Sequence, residues 1–179
     1  MRGYSIIPIA IRIGLQQMID EKHFLGSPHV IVPPPVIFAT GFGVAFILER
    51  LLPLRIFTSY PFKLIGWFFA IASMLIAFGA VAMMLKAHTN IHPHRAADHL
   101  VSGGPFRFSR NPLYLSQVLL SIAAALYLDI GWAILTLAPV VIIIQNYVIR
   151  REERHLEAKF GAEYIDYKRR TKRWIGYTN

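Results

Sequence analysis

The sequence predicts an all-α integral membrane protein with about four transmembrane helices and a cytoplasmic C-terminal helical tail. Of its 179 residues, 55% are hydrophobic and only 16% are charged, and the mean hydropathy is +0.45. Soluble domains carry about 25% charged residues. The long apolar runs contain no charged side chain and no alternation of period two, which favours helices over a closed barrel. The length suits a single domain.

Four charge-free stretches have a length near the ~20 residues that a helix needs to cross a bilayer. They cover residues 30–48, 64–85, 111–128 and 130–149. The N-terminal segment, residues 1–29, contains an apolar stretch over residues 4–19 that proline, arginine and glycine interrupt. We expect an interfacial helix in this segment rather than a cleaved signal peptide. Residues 30–179 then form one membrane domain, whose tail covers residues 150–179.

The positive charges predict the orientation. With four spans, sixteen of the 19 lysines and arginines lie on one side of the membrane and three on the other. Positive side chains collect in cytoplasmic loops, so we expect a multi-pass protein of the cell (inner) membrane with both termini in the cytoplasm. The net charge of +9 would suggest nucleic acid in a soluble protein; in so apolar a chain it indicates topology, and we expect no nucleic-acid partner.

The third span begins with a helix-start signal. Asn111 occupies the position of an N-cap, and Pro112 the first helical position, where its missing N–H costs nothing. The free N–H groups and the positive end of the helix dipole then point towards the cytosol, where they favour a carboxylate or another anion. Capping alone would also explain Asn111.

Two polar stripes lie at the same depth of the hairpin that the third and fourth spans form. On the third span the stripe consists of Tyr114, Gln117 and Ser121, spaced i, i+3, i+7. On the fourth it consists of Asn146, Arg150, Glu153 and Glu157, with Gln145 and Glu152 on an adjacent face. Polar groups at membrane depth are costly unless they face a partner or a cavity, so the stripes predict a pocket. Hydrogen bonding that only holds the hairpin together is the alternative.

The tail predicts an amphipathic helix that is interrupted at Gly161 and covers the mouth of the pocket on the inner surface. The basic side chains expected to meet anionic headgroups are Lys168, Arg169, Arg170, Lys172 and Arg173.

Two other motifs of the inner loop have simpler interpretations. The histidines at positions 88, 92, 94 and 99 suggest a metal, but the proline between the middle two strains adjacent ligation, and we expect no metal site. Residues 102–105 lack the spacing of a phosphate-binding loop; they predict a turn whose glycines let the backbone approach a neighbour closely. The chain has no cysteine, which excludes disulfides, thiolate metal sites and a cysteine nucleophile.

Two sequence blocks carry a resemblance to a known family. Residues 100–114 read LVSGGPFRFSRNPLY, and residues 151–167 read REERHLEAKFGAEYIDY. Both, in this order and separated by one hydrophobic hairpin, resemble the isoprenylcysteine carboxyl methyltransferase family and its phospholipid methyltransferase relatives. The resemblance covers about half of the chain, from position 86 to position 175.

The resemblance implies an integral membrane methyltransferase that uses S-adenosylmethionine, held at the cytoplasmic end between the hairpin and the folded-back tail. The family's arginine-histidine-proline signature falls on Arg110, Asn111 and Pro112, and its paired glutamates on Glu152 and Glu153. Asn111 in place of histidine removes a titratable group, which weakens acid/base chemistry there. The residues that the resemblance and the polar stripes together suggest for the cofactor are Leu100, Val101, Gly104, Asn111, Pro112, Tyr114, Gln117, Asn146, Glu152 and Glu153, with Arg110 and Glu153 as the catalytic pair.

Three functions remain open at this point. The first is methylation of the carboxylate of a prenylated cysteine, or of a similar lipophilic acceptor that enters from the bilayer. The second keeps the cofactor but uses a phospholipid amine or a small thiol; a neutral amine has to lose a proton, which Asn111 cannot take. The third is a non-catalytic four-helix scaffold or a small transporter. The sequence leaves the oligomeric state open.

Overall fold

The computed structural model describes residues 32–87 and 99–177, and these residues form a bundle of helices. The bundle helices are α1 (Pro34–Leu51), α2 (Tyr60–Lys86), α3 (Pro112–Leu128) and α4 (Gly131–Ile143). A π-helical turn over Ile144–Ile149 joins α4 to α5 (Arg150–Phe160), and α6 (Ala162–Arg170) follows. The segment predicted as an interfacial helix, residues 1–29, and three of the four loop histidines lie outside the described residues.

Within the described ranges, three continuous helices are long and apolar enough to cross a membrane: Pro34–Leu51, Tyr60–Lys86 and Gly131–Phe160. The helix α3 is also apolar, but its 17 residues lie at the short end of what spans a bilayer. The predicted all-α membrane fold is confirmed. The fourth helix continues beyond residue 149, where the predicted span ends, through the π-helical turn to Phe160.

The bundle order in space is α1, α4, α3, α2, since α1 packs on α4, α4 on α3, and α3 most extensively on α2. Small residues allow the close approaches. A Cβ added at Gly66 would meet the backbone of Ala123 and Tyr127, and one added at Gly41 would collide with Val140. The Ser73 hydroxyl donates a 2.7 Å hydrogen bond to the Ser116 carbonyl, which joins α2 to α3.

Polar contacts connect the two loops at one end of the bundle. Asp129, with a positive φ of 53°, ends α3, and its carboxylate accepts a 2.7 Å bond from the Phe57 backbone N–H. The Trp132 indole donates to the Leu52 carbonyl at 2.7 Å, and the Gly131 N–H donates to the Leu54 carbonyl. The other end of the bundle, where α3 begins and the α4–α5 helix leaves it, is called the site end below.

The tail breaks where the sequence predicts. Gly161 adopts φ 52° and ψ −123° between α5 and α6, a conformation that residues with a side chain rarely adopt. After α6 the chain returns to the bundle and forms an isolated antiparallel bridge between Thr171 and Tyr177. Residues 171–177 are called the strap below, because they run across the start of α3.

Candidate functional site at the start of α3

A buried cluster of three charged side chains lies at the site end. Glu153 on α5 is 7% exposed, and its carboxylate accepts from the Arg110 Nη2 at 3.0 Å. Arg173 of the strap donates to both oxygens of the same carboxylate, from Nε at 3.0 Å and from Nη2 at 2.6 Å. These hydrogen bonds raise the pKa of Arg173 above its ordinary value. Glu153 therefore ties α5 to the start of α3 and to the strap.

Only the Nη2 of the Arg110 guanidinium contacts Glu153 in this cluster. Its side chain is 8% exposed, and its Nε and Nη1 have no hydrogen-bond partner among the described residues. A buried donor without a partner costs about 1–3 kcal/mol, and more when charged. Two such donors on one guanidinium point to an anion that binds there.

Glu152, the other member of the glutamate pair, lies beside this cluster. Its Oε1 accepts a 2.6 Å hydrogen bond from the hydroxyl of buried Tyr114, which connects α5 to α3. One turn further into the bundle, the Gln117 side-chain oxygen is buried without a partner in the described part of the chain. The two side chains predicted to share a face of α3 therefore both lie towards the interior at the site end.

Asn111 has a different role from the predicted one. It stands at the N-cap position, and Pro112 opens the helix as predicted, but the Asn111 side chain makes no capping hydrogen bond. Instead its Nδ2 donates to the Arg173 carbonyl at 3.0 Å, because the strap lies across the helix start. The backbone of the same region adds a bond from the Arg110 N–H to the Lys172 carbonyl.

The predicted stripe Asn146, Arg150, Glu153 and Glu157 does not form one buried face. Asn146 and Arg150 are exposed, whereas Glu153 is buried. For Asn146 the reason is the π-helical turn over Ile144–Ile149, in which it lies. The i→i+5 hydrogen bonding of this turn inserts an extra residue and shifts the register beyond it, so the spacing rules of an ideal α-helix do not align Asn146 with Glu153.

Gln145 is the polar residue of the π-helical turn that joins the site. Its side-chain oxygen accepts a 2.9 Å hydrogen bond from the Trp174 indole. Trp174 also packs against the core cluster that contains Tyr114 and Val148. The strap is therefore anchored at two neighbouring points, by Arg173 on Glu153 and by Trp174 on Gln145.

The glycine turn before α3 supports the site from the side of α2. Leu100 and Val101 are partly buried and precede it. Gly104 has φ +56° and opens a short 3-10 helix, Gly104–Arg107. A Cβ at Gly104 would come within 2.9 Å of the Met83 side chain. The predicted close backbone approach is thus made to α2.

Two buried tyrosines of α6 lie near the charged cluster. Tyr164 is 1% exposed and Tyr167 is 4% exposed, and their rings meet edge to face. Burial raises the pKa of both hydroxyls, and for Tyr164 the Glu153 carboxylate raises it further. Two buried aromatic rings therefore lie near the Arg110–Glu153 pair.

Arg173 and Trp174 were missed as functional residues by the sequence patterns. The sequence assigned Arg173 to anionic headgroups, and Lys168, expected there as well, pairs with Glu157 at 3.2 Å. One feature of the sequence could have indicated Arg173. Two glutamates, Glu152 and Glu153, were expected beside a single basic residue, Arg110, so a further basic partner was needed.

The arrangement combines a buried cation with open donors, a carboxylate held by a tyrosine, and buried aromatic rings nearby. Such a set can hold a zwitterionic ligand, since Arg110 fits a carboxylate and Glu152 fits hydroxyl or ammonium donors. The acidic oxygen that remains for a ligand is on Glu152, because both oxygens of Glu153 accept from arginines.

Comparisons with known proteins identify the family of the chain. No solved structure matches the chain. A protein of Haemophilus influenzae described as uncharacterized is 40% identical over 63 residues, which are 35% of this chain and 100% of that protein. The sequence profile of the family described as phospholipid methyltransferase matches residues 62–163, more than half of the chain. This match covers α3, the π-helical turn and both glutamates of the site, and the chain belongs to the phospholipid methyltransferase family of membrane methyltransferases.

Proposed function

We propose that the protein transfers a methyl group from S-adenosylmethionine to a lipophilic acceptor at the site end of the bundle. The acceptor that fits best is the carboxylate of a prenylated cysteine or of a similar lipid. The observation that carries the proposal is the buried Arg110 guanidinium, whose Nε and Nη1 have no partner among the described residues, beside a glutamate pair from the other helix of the hairpin.

The donor set fits the cofactor. S-adenosylmethionine carries a carboxylate, an ammonium and two ribose hydroxyls. Arg110 offers open donors for the carboxylate, and Glu152 offers an acceptor that Tyr114 already orients. The buried Gln117 oxygen adds an acceptor for the ammonium. When bound, the cofactor would supply a methyl group whose carbon is attacked by an anionic nucleophile, while the carbon–sulfur bond breaks and the neutral thioether leaves.

The protein's own contribution is then positioning and exclusion of water, which can supply roughly 7–11 kcal/mol. Arg110 and Glu152 orient the two reactants. Glu153 is held by two arginines, so we assign it the role of fixing Arg110 rather than of binding a ligand itself. Tyr164 and Tyr167 lie near the cluster. No catalytic base is required for a carboxylate acceptor.

The hydrocarbon part of the acceptor has a matching groove between α1 and α4. This groove holds about 520 Å³ and is lined mostly by apolar side chains, among them Ile37, Val44 and Val140. Tyr147 also lines this groove, and the Arg151 guanidinium lies over its ring, 4.3 Å from the ring centroid. A cation at this end suits an anionic head whose chain lies in the groove.

Calorimetry in detergent with S-adenosylmethionine and with its demethylated product tests the cofactor assignment. We expect both to bind to the wild-type protein and to raise its unfolding temperature. Neither heat nor a thermal shift with either compound would overturn the assignment and favour a non-catalytic scaffold.

A phospholipid amine is the second candidate acceptor, since the family profile bears that description. An amine must lose a proton before it attacks, and Glu152 is the carboxylate of the site with an oxygen left to take it. Methyl-transfer assays with a farnesylated cysteine analogue, phosphatidylethanolamine and a small thiol separate the candidates. With an amine acceptor, Glu152→Gln would abolish turnover even at saturating cofactor. With a carboxylate acceptor, the same substitution would mainly weaken cofactor binding.

A further inference from the structure

A second cavity lies outside the site, between the glycine turn and the end of α6. It holds about 310 Å³, and its lining residues are Ser102, Arg107, Tyr167, Arg170, Thr171 and Tyr177. Two hydrogen bonds hold its walls together: the Tyr167 hydroxyl donates to the Phe106 carbonyl at 2.7 Å, and the Thr171 hydroxyl to the Arg107 carbonyl. The walls of the cavity are therefore fixed by hydrogen bonds of the fold.

The cavity is positively charged without a compensating acid. Arg107 and Arg170 both line it, and no carboxylate among the described residues forms an ion pair with either. Arg170 uses only its Nε, on the Asp166 backbone carbonyl at 3.3 Å. The neighbouring Arg169 differs, because it pairs with the Asp166 carboxylate at 3.6 Å. Two uncompensated guanidinium groups around one cavity indicate an anionic ligand.

The rim of the cavity is apolar and exposed. Phe108 and Tyr177 are 57% and 52% exposed, and their rings form an edge-to-face pair with centroids 5.7 Å apart. Ile175 of the strap is also exposed. Exposed aromatic side chains beside arginines are typical of the interface between headgroups and acyl chains. The phosphate of a lipid can pair with the arginines of the cavity while its acyl chains contact the apolar rim. Free phosphate can pair only with the arginines.

The cavity is distinct from the methyl-transfer site. Tyr167 lines the cavity and its ring meets that of Tyr164 edge to face, whereas neither Arg110 nor Glu153 lines it. We propose that this cavity binds the phosphate of an anionic phospholipid headgroup and holds the strap and α6 against the membrane surface. The proposal does not depend on which acceptor, if any, the protein methylates.

The binding can be measured as a thermal shift in nanodiscs. The unfolding midpoint is compared between phosphatidylcholine nanodiscs and nanodiscs in which phosphatidylglycerol replaces part of the phosphatidylcholine. We expect phosphatidylglycerol to stabilise the wild-type protein. Arg107→Gln/Arg170→Gln should raise the phosphatidylglycerol content needed for half of this shift by about tenfold, since charged hydrogen bonds are lost. The control Arg154→Gln/Arg169→Gln removes the same charge from exposed positions outside the cavity and should retain the wild-type response.

A second variant and a second ligand complete the test. Ser102→Glu places a carboxylate in the cavity without removing an arginine, and it should also abolish the shift. Inorganic phosphate added to phosphatidylcholine nanodiscs should leave the midpoint unchanged. Equal loss in the two arginine double variants would mean that attraction is diffuse and would overturn the site. A full shift with inorganic phosphate would overturn the lipid as ligand.

Discussion

The two halves of the chain, α1 with α2 and the segment from Ser109 onwards, are stabilised by different interactions. The buried residues of α1 and α2 are few and mostly small, three in each helix: Pro34, Phe38 and Ala45, and Gly66, Ser73 and Ala80. From Ser109 onwards, buried polar and charged groups cross between α3, α5 and the strap. The first half is therefore stabilised mainly by close helix packing, and the second by a network of buried polar contacts.

This contrast has a functional consequence. Packing of small residues tolerates many apolar side chains on the lipid face, whereas a buried charge network is costly unless each member is paired. In the described part of the chain, Arg110 Nε and Nη1 and the Gln117 side-chain oxygen are buried without a hydrogen-bond partner, and the Glu152 carboxylate accepts from Tyr114 through one oxygen. These groups are the ones to which we assign ligand binding in the proposed function.

The largest effect on stability is expected from Glu153→Ala. It leaves Arg110 and Arg173 without their shared carboxylate, and breaking a buried pair costs about 3–5 kcal/mol. Equilibrium unfolding in mild detergent measures the loss. A variant as stable as wild type would show that the cluster does not hold the strap.

Glu152→Gln should act on the ligand rather than on the fold. It removes the charge from the carboxylate that Tyr114 orients, and charged hydrogen bonds contribute about 1.5–3 kcal/mol, so the affinity for S-adenosylmethionine should fall by roughly ten- to a hundredfold. Titration calorimetry gives the affinity, and the unfolding midpoint serves as the control. Unchanged affinity would remove Glu152 from the site.

A groove-filling substitution separates the acceptor from the cofactor. Val44→Trp blocks the groove between α1 and α4, and the KM for a lipid acceptor should rise about tenfold, which corresponds to about 1.4 kcal/mol of lost binding, while cofactor affinity stays unchanged. Ile47→Trp, at an exposed position of α1 that does not line the groove, is the matched control. Equal effects of the two variants would argue against the groove.

Packing in the first half can be tested with two glycines of α1. Gly41→Ala should destabilise the protein by about 1–3 kcal/mol through overpacking, because its Cβ collides with Val140. Gly43→Ala meets nothing within 4 Å, and its better helix propensity should stabilise the protein by up to about 1 kcal/mol. Unfolding of both variants under one condition gives the comparison, and the same sign for both would contradict it.

The smallest effect is expected at Glu157→Ala, which breaks a half-exposed pair with Lys168. Such pairs contribute about 1 kcal/mol or less, so its unfolding free energy should stay close to the wild-type value. A loss comparable to that of Glu153→Ala would mean that α5 and α6 depend on their surface charges.

The sequence predicts correctly those features of the fold that depend on hydropathy and on local backbone preferences. The four apolar helices follow from runs without charge, and the break at Gly161 and the start at Pro112 follow from local backbone preferences. These features depend on neighbours in the chain, so a single sequence contains the necessary information.

The site was predictable only in part, because it depends on contacts between distant residues. Tyr114 and Glu152 meet across the hairpin as the shared depth of the stripes suggests. Asn146 does not join them, since hydropathy and spacing do not reveal a π-helical turn. Asn111 forgoes capping because the strap, 62 residues later, offers a carbonyl, and no periodicity connects Arg173 to Glu153.

The most direct test of the central claim is transfer of a labelled methyl group from S-adenosylmethionine to lipophilic acceptors by the purified protein in nanodiscs. We predict label in an acceptor that extracts with lipid, at a rate that Glu152→Gln lowers at limiting cofactor and that Glu157→Ala leaves unchanged. Absence of labelled lipid from the full acceptor panel, with a protein that is folded and binds the cofactor, would contradict the proposed reaction.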